Sequence, residues 1–119
     1  MQNPIRDKSY ALALHVVTLC TGPQARKLGL LRRQLFDAGT SCGANVEEAQ
    51  AAEGRKDFVH KIGVATKEAH EARYWLRLAR DAKLLPEPLL REPLSLAEDV
   101  IRLGHAIIGT TRSRIASGA

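Results

Sequence analysis

The stretch that decides the fold is Leu28-Gly-Leu-Leu-Arg-Arg-Gln-Leu-Phe-Asp-Ala-Gly-Thr-Ser-Cys-Gly-Ala-Asn-Val-Glu-Glu-Ala49. Within it Leu28, Leu31, Leu35, Ala38, Cys42, Asn45 and Ala49 recur at alternating steps of three and four. That spacing places them on one helical face, mostly apolar and mostly small. Gly39, Thr40, Ser41 and Gly43 are poor helix formers. The periodicity nevertheless runs through them, which predicts one continuous, bent helix.

Moving outward, Phe58, Ile62, Ala65, Ala69, Ala72, Leu76 and Ala79 repeat the pattern, as do Leu94, Ala97, Ile101, Gly104, Ile108, Thr111 and Ile115. Three long helices with coiled-coil-like seams follow. A shorter helix precedes them, with Tyr10, Leu14, Val17 and Cys20 sharing a face, Asn3 as cap, Pro4 at the first helical position, and Gly22-Pro23 as terminator. Gly54 separates helices two and three. Pro86, Pro88 and Pro93 are expected to keep any helix from crossing residues 85–93, and Ser95 with Glu98 reads as a capping box opening helix four. Strand signals are scarce. The expected fold is all-α, an antiparallel up-down-up-down four-helix bundle, with residues 1–119 as a single domain.

Composition agrees with one core: 119 residues, 45% hydrophobic and 26% charged. Lysine and arginine exceed aspartate and glutamate by 18 to 13, a net charge of +5. Residues 1–54 hold six basic and five acidic groups against twelve and eight in 55–119, so the excess sits mainly in the second half. Two cysteines, Cys20 and Cys42, rule out a disulfide scaffold and cysteine-pair zinc sites. A reducing, cytoplasmic setting is the expectation. The longest uncharged run, Ser9 to Ala25, is too short and too polar to cross a bilayer, and no export signal precedes it.

Catalytic chemistry finds little support. A di-metal carboxylate bundle needs Glu-x-x-His on two helices, and only Asp57 with His60 approximates it; His15, His70 and His105 lack the acidic residue. Cys42 lies on a seam without a cationic neighbour and reads as a small core residue. No glycine-rich phosphate loop is present. The expectation is therefore a protein that is not an enzyme, with no cofactor and no metal.

Two surfaces remain. On helix three Val64, Trp75 and Leu78 fall about 80–140° from Ala65, a second apolar arc that suits self-association; the alternative is that Trp75 covers the bundle edge. Glu68 and Glu71 share that flank, while Asn45 lies in the helix-two seam beside Glu48; all four are expected to meet basic or backbone donors across helices, the alternative being an acid/base pair, which no nucleophile or cofactor motif accompanies. On the other flank Arg73, Arg77 and Arg80 form a stripe suited to phosphates. Its bland alternative is a solvated face paired by Asp81, Glu98 or Asp99.

The runs Leu31-Arg-Arg-Gln-Leu, Ser41-Cys-Gly-Ala-Asn-Val-Glu-Glu-Ala, Lys56-Asp-Phe and Lys67-Glu-Ala-His-Glu-Ala-Arg-Tyr-Trp-Leu resemble the bacterial four-helix-bundle proteins also called 23S ribosomal RNA intervening-sequence proteins. The likeness is strongest over residues 28–85. It implies a homopentamer without catalysis, similar to the accessory variability protein of diversity-generating retroelements, a basic pentameric bundle that engages nucleic acid and a reverse transcriptase. At the matching positions Asn45, Glu48, Asp57, Phe58, Glu68, Glu71, Trp75 and Leu76 it implies roles in bundle and subunit packing. The functional expectation is an oligomer that binds RNA, DNA or a nucleoprotein partner, the alternative being a protein-interaction scaffold.

Overall fold

The computed structural model describes residues 2–118. Helix α1 spans Pro4–Thr21, α2 Leu31–Gln50, α3 Arg55–Asp81 and α4 Pro88–Ser117, with a short 3-10 turn at Ala25–Leu28. Helix α1 packs on α2 and α4, α2 on α3, and α3 on α4, so the four close into a bundle. Ion pairs between helices fix the antiparallel register: Arg6 meets Glu47, Lys61 meets Glu48 and Arg73 meets Glu98. The all-α up-down-up-down expectation holds.

Helix α3 follows its predicted seam closely: Ile62, Ala65, Ala69, Ala72, Leu76 and Ala79 are fully buried. They face Leu35, Cys42 and Val46 of α2, Leu12 and Val16 of α1, and Leu90, Ala97 and Val100 of α4 in one apolar core. Helix α2 is continuous through its glycines because those glycines are points of close approach. A Cβ on Gly39 would lie 2.7 Å from Val16 Cγ2, and one on Gly43 would lie 3.3 Å from Ala13 Cβ and Ser9 O. Gly104 of α4 likewise sits against Thr66, whose hydroxyl donates to the Ile62 carbonyl at 2.7 Å. Small residues thus bring α1 to α2, and α4 to α3, at close range.

The Asn3 cap forms as expected, its Oδ1 accepting from Arg6 N at 3.3 Å, with Pro4 opening α1. The core face of α1, however, is Ile5, Ser9, Leu12, Val16, Leu19 and Cys20. Of the anticipated face only Cys20 is buried, while Tyr10 and Leu14 are 64% and 55% exposed. Helix α2 begins at Leu31 rather than Leu28, because Gly29 at φ 56° turns the chain after the 3-10 segment. The Arg32 guanidinium crosses back to α1, Nε donating to the Cys20 carbonyl at 2.7 Å. It satisfies one of the carbonyls left open at that helix end.

Helix α4 also departs from expectation, since it starts at Pro88 and runs through Pro93. Pro88 occupies a first-turn position where no N–H is needed. Leu89 and Leu90 donate to the Pro86 and Glu87 carbonyls at 3.1 and 2.9 Å, closing the first turn tightly. The Pro93 ring is fully buried, so packing offsets its missing donor. Ser95 and Glu98 therefore lie inside the helix and form no capping box.

Candidate functional site

An up-down-up-down chain places the α1–α2 and α3–α4 links at the same end. Here the first link carries Arg26 and Lys27, and the second carries Lys83. Lys27, Arg80 and Lys83 line a groove of about 730 Å³ whose floor is Leu84, Leu85 and Pro86, with Glu87 at its edge. Lys27 also borders an adjoining groove of about 560 Å³ lined by Arg26, Arg32, Gly22, Pro23 and Ala25. Among the described residues Arg26, Lys27, Arg77 and Lys83 have no carboxylate within ion-pair distance. This end gathers several cations, with Asp81 and Glu87 among them.

Lys83 holds the most unusual backbone here. It is the one non-glycine residue with positive φ, 57°, among those described. Its N–H donates to the Arg80 carbonyl and that of Leu84 to the Ala79 carbonyl, the bonding of a helix terminus that ordinarily uses glycine. A lysine there accepts a left-handed conformation costing about 1 kcal/mol or more. Lys83 lines the same groove as Lys27 and Arg80.

The predicted arginine stripe lies along the α3–α4 groove, and acids occupy most of it. Arg80 Nε donates to Asp81 at 2.8 Å, which holds the Asp81 carboxyl below its usual range. Arg73 Nε is 3.8 Å from Glu98, close enough for charge attraction without a hydrogen bond. Arg77 is exposed. Asp99 does not serve the stripe: it accepts from Lys8 Nζ at 2.6 Å and from Arg102 at 3.2 Å. The cations missed from the sequence, Arg26, Lys27 and Lys83, belong to the same end; the order of the links is the signal that locates them.

On the opposite flank Trp75 is partly buried against the core, its Nε1 donating to Glu71 at 3.3 Å, and it stacks edge-on with Tyr74, which is 53% exposed. Leu78 is half-buried one turn from Trp75, Val64 is half-buried about three turns earlier on the same flank, Leu76 is fully buried, and Phe58 is half-buried near the start of α3. Of the four polar positions expected to meet donors across helices, only Glu48 does so among the described residues, Glu71 accepting from Trp75 of its own helix. Glu48 pairs across helices with Lys61 at 2.9 Å, whereas Asn45 Nδ2 donates within its own helix to the Ser41 carbonyl at 2.9 Å. Glu68 has no ion pair among the described residues, and burial, reinforced by Glu71 and Asp37, pushes its carboxyl upward. Cys42 is fully buried, and burial followed by Glu68 pushes its thiol up to about 12. A thiol so raised is protonated at neutral pH and is a poor nucleophile.

Fold and surface together define a class: a closed antiparallel helical bundle with glycine-tightened helix pairs and one cationic end. The chain belongs to the 23S rRNA-intervening sequence protein family, whose profile matches residues 1–106. It is similar to a protein of unknown function from the S23 ribosomal protein family of Bacteroides thetaiotaomicron, whose crystal structure superposes with a TM-score of 0.77 at 30% identity, over 87% of this chain and 97% of that one. Among curated proteins none matches the chain. Among the described residues no helix is long and apolar enough to cross a membrane, and no three metal-ligating side chains cluster.

Proposed function

We propose that this protein is a non-catalytic, cytoplasmic homo-oligomer, a pentamer by family resemblance, that binds RNA or another nucleic acid, free or within a nucleoprotein. The observation that carries the reading is the convergence of Arg26, Lys27 and Lys83, none with an acidic partner among the described residues, around two adjoining grooves at one end. Unpaired cations release counterions from a phosphate backbone, and repetition in an oligomer multiplies each weak interaction. No aromatic ring lines either groove, so binding is to the backbone rather than to stacked bases.

Assembly rests on the apolar surface. Tyr10 and Leu14 are exposed on α1, and Tyr74 and part of Trp75 on α3. These helices are diagonal in the bundle, so the two patches face opposite ways. Two different patches on opposite sides suit head-to-tail association, which closes into rings, better than a two-fold pair. A second reading, a scaffold for another protein, is favoured by Leu30, 96% exposed beside an apolar groove lined by Phe36, Cys20 and Thr21.

The test is a salt titration of single-stranded RNA binding alongside solution mass. Neutralising Arg26, Lys27 and Lys83 together is expected to lower the log–log salt slope by about 2, at about 0.7 for each phosphate no longer neutralised. Neutralising Arg73, already beside Glu98, is expected to change it much less. No RNA binding at low salt overturns the nucleic-acid reading. A particle at five times 13.0 kDa is expected, and a sharp monomer at micromolar concentration overturns the assembly.

A further inference from the structure

The bundle leaves a further groove at the end away from Lys27 and Lys83. Lys8 of α1 meets Asp99 of α4, so α1, which starts at Pro4, begins about level with Leu103, and the rest of α4 extends past it along the start of α3. Phe58 of α3 and Ala106, Ile107, Thr110, Thr111 and Arg114 of α4 line a groove of about 350 Å³ there, within the roughly 300–1,000 Å³ of small-molecule sites. Its frame is held where the two helices meet: Gly104 sits against Thr66, and His70 and His105 share one hydrogen bond, Nε2 to Nε2 at 3.1 Å.

We propose that this groove is a nucleobase site for single-stranded nucleic acid, in which one base stacks on Phe58 and its phosphate meets Arg114. The site rests on the nucleic-acid reading and differs in kind from the two grooves at the other end: those hold cations without an aromatic ring, whereas this one joins a ring to a cation. Every base has a π-face, so stacking on an aromatic side chain tolerates any sequence. In a duplex both faces of an interior base are already covered, so the site selects single strands.

Charge and shape around the groove suit this occupant. Arg114 is exposed and has no carboxylate within ion-pair distance among the described residues, and the same holds for Arg55, one turn before Phe58. Asp57 is the acid next to Phe58, and Lys61, one turn on, feels its charge. An arginine left free in this way is a strong phosphate donor. Small side chains at Ala106 and Thr110 leave room beside Phe58 for a flat ring.

The test compares binding of the full-length protein to single-stranded oligothymidylate and to an abasic deoxyribose-phosphate strand of equal length. The parent is expected to prefer the thymidine strand by at least about fivefold, the lower bound for one stacked base. Phe58→Leu, which keeps the apolar packing, is expected to lose that preference, and Phe58→Tyr, which keeps the ring, to retain it, both at unchanged solution mass. Arg114→Gln is expected to weaken binding of both strands and to lower the log–log salt slope by about 0.7. Lys27→Gln with Lys83→Gln is the control: it weakens both strands and leaves the preference intact. Equal binding of the two strands by the parent, or a preference that survives in Phe58→Leu, overturns the nucleobase site alone. Binding of neither strand at low salt overturns it together with the nucleic-acid reading.

Discussion

Replacing Gly39 with alanine sets two opposite effects against each other in one residue. In a helix interior, alanine is favoured over glycine by about 1 kcal/mol. Gly39, however, lies against α1: the added Cβ would sit 2.7 Å from Val16 Cγ2 and 2.8 Å from its Cβ and Cγ1. Carbon atoms prefer about 3.5–4.0 Å. Val16 is β-branched and fully buried, so it has little rotameric escape and α1 must move by roughly 1 Å. Overpacking of this kind costs about 1–3 kcal/mol. With three atoms in conflict the upper end applies, and the expected net loss for Gly39→Ala is about 2 kcal/mol. Gly63 is the internal control, because nothing lies within 4 Å of its Cβ position. Gly63→Ala is expected to gain about 1 kcal/mol. The assay is urea denaturation followed by helical circular dichroism at one fixed protein concentration, since assembly adds to apparent stability. Adding Val16→Ala should make Gly39→Ala far less costly. A Gly39→Ala protein as stable as Gly63→Ala refutes the close-approach account of α2.

Two further perturbations follow. Lys83→Gly relieves the left-handed conformation and is expected to stabilise the fold by about 1 kcal/mol while weakening RNA binding; denaturation and binding measured on one preparation check both signs, and a less stable variant contradicts the strain argument. The Lys8 hydrogen bond holds the Asp99 carboxyl below its usual range, so this pair contributes stability above the unfolded carboxylate value of about 3.9 and loses it as pH falls through the lower folded value. Asp99→Asn should therefore be less stable than the parent at pH 6, with the gap closing in strong acid; a gap unchanged at pH 2 contradicts the ion-pair origin.

The seam of α3 is legible residue by residue because Ile62, Ala65, Ala69, Ala72, Leu76 and Ala79 keep an unbroken three-four spacing, while the second apolar arc at Val64, Trp75 and Leu78 lies on a separate flank. Helix α1 misleads because apolar residues surround it: Tyr10, Leu14 and Val17 compete with Ile5, Leu12, Val16 and Leu19, and Ser9 interrupts the true stripe with a buried hydroxyl. That hydroxyl donates to the Arg6 carbonyl at 3.2 Å, which makes its burial tolerable. Pro93 misleads because local sequence shows a missing donor but not the core volume its ring fills. The arginine stripe meets two of the three acids that the sequence offers it, Glu98 of α4 beside Arg73 and Asp81 beside Arg80, while Asp99 pairs elsewhere. The His70–His105 pair has no local signal, since 35 residues and a helix reversal separate its members.

Helix α4 continues for more than three turns after Gly104, its last buried residue, beyond the level at which α1 begins. Ile107, Ile108, Thr111 and Ile115 extend its inner stripe, half-buried, toward the start of α3. Cooperativity should consequently be graded along this helix. Amides up to Gly104 are tied to global unfolding, while those beyond Ile108 exchange through local opening of a two-helix tip. Arg112 and Arg114 ride on that tip, at the opposite end of the molecule from Lys27 and Lys83. The chain therefore carries cations at both poles, one set on the inter-helix links around Lys27 and Lys83 and the other on the less buried end of α4.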